Sequence, residues 1–279
     1  MKAEIRLFEP PAWFRLVFFA VVLVPALGPS SVAGPKSWLE EREAVETFLK
    51  TAEIIEDEKV GWGVTEPWKL ALELDGRSLS GIWKPVQKGR RDGVWESHQA
   101  EVAAYELDKL LVLDMVPPTL IREIRGQKGS LQLWVEGVRL YAEVISKEPP
   151  EQKWRREQSR MRLFDNLICN RDRNARNFLV TEDWSIVLID HSQAFATRSP
   201  FFRDGSLCLV TQGGTVELPD KFDRALVERI RRLDVQTLNI ALGSLLTITQ
   251  IESILERRDA LVLYIEQLVA EKGTKAVWF

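Results

Sequence analysis

The chain has 279 residues, 45% of them apolar and 28% charged, with a formal net charge of −3. That length and balance describe a globular protein of one large domain or two lobes. They supply no general basic field, so nucleic-acid binding is not expected, because counterion release needs clustered Lys and Arg.

At the N-terminus, Lys2, Arg6 and Arg15 precede an apolar run from Leu16 to Leu27, and Ser31-Val32-Ala33 resembles a small-residue cleavage site before Gly34. The run is too short to span a bilayer comfortably, which takes about 20 residues. Residues 1–33 are therefore read as a signal peptide or N-terminal anchor, giving an exported protein whose only membrane contact is through that segment. Glu4 and Glu9 dilute the basic region and Pro25 interrupts the run, so a mis-called start codon, leaving the chain cytoplasmic, is the alternative.

Next, Ser37-Trp38-Leu39-Glu40 reads as a capping box. Val45, Phe48, Leu49 and Ala52 follow at helical spacing, predicting a helix from about Trp38 to Ile55, broken by Gly61-Trp62-Gly63. Trp68, Leu70, Leu72 and Leu74 alternate with polar or small residues, as in a half-buried strand. Asp75-Gly76 is a hairpin turn signal, and a second strand runs from Ser78 to Lys84. Helical period returns from Glu96 to Leu111 through Val102, Tyr105 and Leu110; after Pro117-Pro118, Leu120–Ile124 and Leu131–Val135 read as short strands. The order strand, strand, helix, strand, strand predicts a small mixed lobe on an antiparallel sheet.

From Pro149 the pattern is mainly helical. A helix is predicted over Glu151–Ile168, a loop over Cys169–Asn177, a hairpin over Phe178–Asp190, an irregular stretch over Ser192–Pro219, and amphipathic helices over Asp223–Glu271. Cys169 and Cys208 are the only cysteines and cannot make a tetrahedral zinc site, with His98 and His191 far apart. They are either a disulfide in an exported chain or two buried thiols. The ten Trp residues read as packing residues.

The chemistry-bearing stretch is Asn170-Arg171-Asp172-Arg173-Asn174-Ala175-Arg176-Asn177, followed by Ile186-Val187-Leu188-Ile189-Asp190-His191. Phosphoryl transfer needs a carboxylate near the attacking hydroxyl and oxygen ligands that hold magnesium against the phosphates. Asp172 and Asn177 stand five residues apart, the spacing of a catalytic-loop Asp and a metal-binding Asn, and Asp190 at a strand end supplies a second metal carboxylate. Singly, each could cap a turn. Upstream, Lys84 ends a strand where it can reach the α- and β-phosphates, and Glu101 lies early in the next helix as its ion-pair partner. His191 is read as a structural histidine.

These residues carry a family resemblance. The Asp172-Arg173-Asn174 loop with Asn177 resembles that of phosphatidylinositol 3- and 4-kinases. The run from Ala100-Glu101 to Leu111, followed by Val116-Pro117-Pro118, is similar to secretory-pathway kinases of the Golgi casein kinase and four-jointed type, with HipA-like kinases as more distant relatives. The resemblance covers roughly residues 60–270 and implies an α+β, bilobal protein-kinase-like fold. Its division is an N-terminal helical extension over 34–59, an N-lobe over 60–137 and a C-lobe over 138–279. It implies ATP with magnesium, or manganese in its place, and an acceptor hydroxyl on a protein or a lipid. Lys84, Glu101 and Asp172 would be the catalytic residues, Asn177 and Asp190 the metal ligands, and Leu133-Trp134-Val135-Glu136-Gly137 a hinge whose Val135 and Glu136 meet adenine through backbone groups.

The departures are His191-Ser192 after Asp190 in place of Phe-Gly, and the lack of a G-x-G-x-x-G loop, with Gly76 and Gly81 the only glycines near the expected turn. Protein Ser/Thr is favoured over lipid as the acceptor. A pseudokinase acting as an interaction module is the alternative, although no base or metal residue is lost. A helical scaffold with a partner face over Leu226, Ile230, Leu233, Leu238, Ala241, Leu242, Leu245 and Leu246 is a third reading, and a metal hydrolase would leave Lys84 and Glu101 unexplained. The sequence specifies no oligomeric state.

Overall fold

The computed structural model describes residues 35–60, 67–86, 89–91, 94–197 and 218–279. The expectations for residues 1–33, for Gly61-Trp62-Gly63 and for Cys208 fall outside them. Among the described residues no helix is long and apolar enough to cross a membrane.

The first segment corrects the long helix expected there. Ser37–Leu39 is a single 3-10 turn preceded by Lys36 at a left-handed φ of 68°, with no capping side chain, and helix α1 spans only Arg42–Thr51. The chain then becomes strand β1 (Glu53–Lys59), which pairs antiparallel with β2 (Trp68–Leu74). The helical period fails as a guide here because β1 is a charged edge strand whose conformation is set by its neighbour. Arg122 ends α1 from across the fold by donating to the carbonyls of Leu49 and Ala52.

Strand β2 turns through Asp75 and Gly76, both at positive φ (50° and 77°), into β3 (Arg77–Lys84). That is the geometry an Asp-Gly hairpin favours. A short hairpin, β4 (Gly89–Arg91) and β5 (Val94–Glu96), leads into helix α2 (His98–Leu111). The expected helix start at Glu96 therefore moves to His98, where Ser97 caps the helix by accepting from the Gln99 N–H at 3.1 Å. Strands β6 (Thr119–Ile124) and β7 (Gln127–Leu133) complete a five-stranded sheet of order β1-β2-β3-β7-β6, antiparallel at each pairing. One core holds α1 to this sheet, with Trp38, Phe48 and Leu49 against Leu70, Leu72, Trp83 and Leu131.

Beyond the sheet come β8 (Val138–Leu140), α3 (Tyr141–Val144) and α4 (Glu151–Ile168). The hairpin β9 (Phe178–Thr181) and β10 (Ile186–Leu188) follows, then α5 (Arg224–Arg231), α6 (Val235–Leu242), α7 (Ile248–Lys272) and α8 (Thr274–Val277). Strands β8 to β10 form a second sheet of order β10-β9-β8. A larger core joins α2 to the helical part through Tyr105, Leu107, Leu111, Phe164, Leu167, Leu238 and Ile254. Leu226, Ile230, Leu233, Leu238, Leu242 and Leu246 are buried in that core and Ala241 and Leu245 pack against it, so these residues hold the fold together and form no open partner face.

The C-terminal end of α2 is fixed by Asp108, whose carboxylate accepts the backbone N–H groups of Asp114 (3.2 Å), Met115 (2.9 Å) and Val116 (3.0 Å). Burial raises its pKa to about 6 against the effect of those donors. A raised pKa means that the folded state binds the proton more tightly than the unfolded chain. The stability from this linkage is fully present below about pH 4 and is lost as pH rises through about 6. Between pH 5 and pH 7 the group should cost about 1 kcal/mol. Urea unfolding of the wild type and of Asp108→Asn at both pH values measures it. The variant should lose about 1–3 kcal/mol overall, from unsatisfied N–H groups, and should lack this pH component.

Candidate active site

Lys84 is the last residue of β3, and Pro85 after it releases the chain from the sheet. Its ammonium lies 2.7 Å from Glu101 Oε1 and 2.8 Å from Asp190 Oδ1. Glu101 sits in the first turn of α2 and is only 2% exposed. Asp190 follows β10 in the left-handed region at φ 63°, a conformation Asp tolerates better than most residues. From there the next backbone N–H, that of His191, donates to Glu101 Oε2 at 2.8 Å. One strand, one helix and one post-strand turn thus converge on a single cation.

Burial disfavours the charge on Lys84, but Asp190 and Glu101 outweigh it and hold its pKa above that of an ordinary lysine. Burial likewise opposes ionisation of Glu101, and Lys84 overcomes it, so the carboxylate stays charged well below the usual range. With two carboxylates against one ammonium the site carries a net negative charge, suited to a divalent cation and unsuited to bare phosphates without one.

The loop over 169–177 begins where Cys169, buried and left-handed at φ 52°, ends α4. Asn177 donates through Nδ2 to the Asp172 carbonyl (2.6 Å) and to Asp172 Oδ2 (2.9 Å), and Asn174 donates to the same carbonyl at 3.0 Å. Asp172 is half-buried, and burial, then the charge of Asp190, raises its pKa. The structure therefore brings Lys84, Glu101 and Asp190 into direct contact, and Asp172 and Asn177 into a second contact within that field.

Val135 and Glu136 are placed by the sheet. They follow β7, which ends at Leu133 and not at Val135. With Trp134, Leu79, Ala71 and Trp38 they border a cavity of about 460 Å³ whose lining does not include Lys84, Asp172, Asn177 or Asp190.

Lys59 is opposite Trp68 and Trp68 opposite Trp83, so β1 ends and β2 begins at the Lys84 end of the sheet. Gly76 is at the far end of the same hairpin, and Gly81 is inside β3, where a Cβ would come within 2.7 Å of Leu131 Cδ1.

Three functional neighbours escaped the sequence reading. Arg173 is buried and clamps Asp165 with Nε and Nη2 at 2.9 and 3.0 Å. It also donates to the carbonyls of Asn177 and, at 2.7 Å, Ile189. The third is Glu96, 94% buried, whose Oε1 receives Gln193 Nε2 at 3.3 Å and whose Oε2 has no partner among the described residues. The sequence pattern assigns none of them a role, because each acts across elements.

The donor set suits a magnesium- or manganese-type ion. The Asn177 amide nitrogen is committed to Asp172, leaving Oδ1 as an acceptor, and Asp190 is a hard oxygen donor. No three His, Cys, Asp or Glu among the described residues form a closed cage. An ion held by one or two carboxylates, phosphate oxygens and water needs none.

No protein-family model matches the sequence, and no curated protein matches it in sequence either. Solved structures do match in fold. The Golgi casein kinase with Mn and ADP bound superposes with a TM-score of 0.61 at 15% identity, over 86% of this chain and 78% of that one. A second structure of the Golgi casein kinase gives 0.60 at the same identity and coverage. The chain has a protein-kinase-like fold: a small antiparallel sheet with one key helix, joined to a mainly helical part.

Proposed function

We propose that this chain is an ATP-dependent phosphotransferase that moves the γ-phosphoryl group to an acceptor hydroxyl, on a protein Ser or Thr in preference to a lipid. The observation that carries the reading is the Lys84 ammonium held between Glu101 and Asp190 at 2.7 and 2.8 Å, on a kinase-like fold. A lysine pinned on a strand end by a helix carboxylate is how kinases orient ATP phosphates.

Asn177 and Asp190 would hold a divalent magnesium or manganese ion, which when bound neutralises phosphate charge. Lys84 releases Asp190 in part and orients the α- and β-phosphates, with Glu101 keeping the ammonium aimed. Asp172 accepts a hydrogen bond from the acceptor hydroxyl and takes its proton late, since the transition state is loose. Most of the rate gain then comes from positioning and charge neutralisation. Trp134 to Glu136 would border the adenine. A secretory location fits the N-terminal segment and the name of the Golgi casein kinase.

The test is magnesium- and manganese-dependent loss of the ATP γ-phosphate by the purified chain, with an acidic protein and a phosphoinositide mixture as acceptors. Labelling of the protein supports the reading and its preferred acceptor; labelling of lipid alone reverses the preference. Metal-dependent ATP binding without turnover would replace the enzyme with a pseudokinase.

A further inference from the structure

His191 is 0% exposed and stands where two otherwise separate parts of the site meet. Its Nε2 lies 2.9 Å from Arg173 Nη2. A guanidinium only donates, so Nε2 accepts and the ring proton is on Nδ1. Nδ1 lies 3.8 Å from Glu101 Oε2, too far for a hydrogen bond, and has no other partner among the described residues. The Phe164 ring meets the imidazole edge-on, with centroids 6.2 Å apart.

The partners of Arg173 show what this contact controls. Its guanidinium holds the carbonyls of Asn177 and Ile189, one a candidate metal ligand and the other the neighbour of Asp190. It is itself held by Asp165 from α4. The His191 backbone N–H holds Glu101, and through it Lys84. A continuous path therefore runs Asp165, Arg173, His191, Glu101, Lys84, joining the 169–177 loop to α2.

We propose that His191 is a positioning residue. As an Nδ1-protonated imidazole, it fixes Arg173, and with it the Asp172–Asn177 loop, in register with the Lys84–Glu101 pair. The proposal rests on the kinase reading for its catalytic consequence, but the coupling itself is a property of the fold. The two contacts of His191 divide by origin. The one to Glu101 comes from the backbone and survives a side-chain change; the one to Arg173 comes from the ring and does not. Loss of the ring acceptor should therefore spare ATP binding and disturb the loop that bears the base.

The experiment compares the full-length wild type with His191→Phe, which keeps an aromatic ring beside Phe164, and His191→Gln, which restores an acceptor. In the Phe variant kcat should fall by about 10²-fold, the cost of a misplacement near 1 Å, while the ATP KM stays within about threefold. Gln should recover most of kcat. Hydrogen exchange is followed alongside, and amides of residues 170–177 should lose protection in the Phe variant and regain it with Gln, while those of α7 do not change. Wild-type kcat in the Phe variant, or equal losses in Phe and Gln, would overturn the positioning role and leave the kinase reading standing. If the wild type itself does not turn over ATP, the kinase reading falls and exchange decides the coupling: unaltered protection of 170–177 in the Phe variant overturns it, and selective loss upholds it.

Discussion

Asp190→Ala is expected to remove metal-dependent turnover, lowering it by about 10³-fold or more, with the fold intact. The size follows from what one carboxylate does at this point. It is one of the two groups that bind Lys84, at 2.8 Å, and it is the carboxylate that the β10 turn delivers into the site. Without it a divalent ion would keep only the Asn177 amide oxygen, a donor set without its charge. Loss of one charged group at a phosphoryl-transfer site typically costs 10²–10³ in kcat, and loss of a metal costs more. Stability should change little. Lys84 retains Glu101, and Asp190 is about a third exposed, so no fully buried charge is left without a partner. Thermal melting within a few degrees of wild type, together with γ-phosphate release at several magnesium concentrations, separates the two effects. Undiminished turnover would remove Asp190 from the site.

The parts of this site that could be read from the sequence were those in which a local pattern coincides with a structural element. Ile186 to Leu188 is an apolar run short enough to be a strand, and the polar Asp190 after it had to lie at its end. Lys84 ends an alternating strand, and Glu101 begins a helix capped by Ser97. Residues 151–168 read as a helix because nothing in that stretch competes with the helical period. The segment 53–59 did not, because two Ile residues among acidic ones fit either period, and pairing with β2 decides between them.

Arg173, Asp165 and Glu96 illustrate a different limit. An Arg inside a polar loop is ordinarily solvated, and only the return of β10 beside the 169–177 loop buries this one among four acceptor groups. The end of the sheet that carries Lys84 is a related case. The hairpin signal at Asp75-Gly76 is strong, but it says nothing about which end of the sheet faces Lys84. That follows from the register of β1, whose first residues, Glu53 to Ile55, the predicted helix had taken in.

Asp172→Asn probes the other half of the proposed chemistry, and its expected signature is opposite to that of Asp190→Ala. The substitution keeps shape. The Asn side-chain oxygen can still accept from Asn177 Nδ2, now 2.9 Å from Oδ2, and the main-chain contacts from Asn174 and Asn177 do not involve the changed group. What disappears is the charge and the capacity to take a proton. General-base loss costs about 10²–10⁴ in rate, and a loose transition state, in which the proton moves late, favours the lower part of that range. Lys84, Glu101 and Asp190 are untouched, so ATP and metal affinity should hold within about threefold; removing a negative charge beside Asp190 relieves a repulsion that raises the pKa of Asp172. Isothermal titration of ATP with magnesium, beside single-turnover phosphoryl transfer, measures both quantities. A kcat loss with binding retained in Asp172→Asn, set against a binding loss in Asp190→Ala, assigns one carboxylate to the acceptor and the other to the metal. Loss of ATP binding in both variants would mean that the two act as one metal site and that the base lies elsewhere.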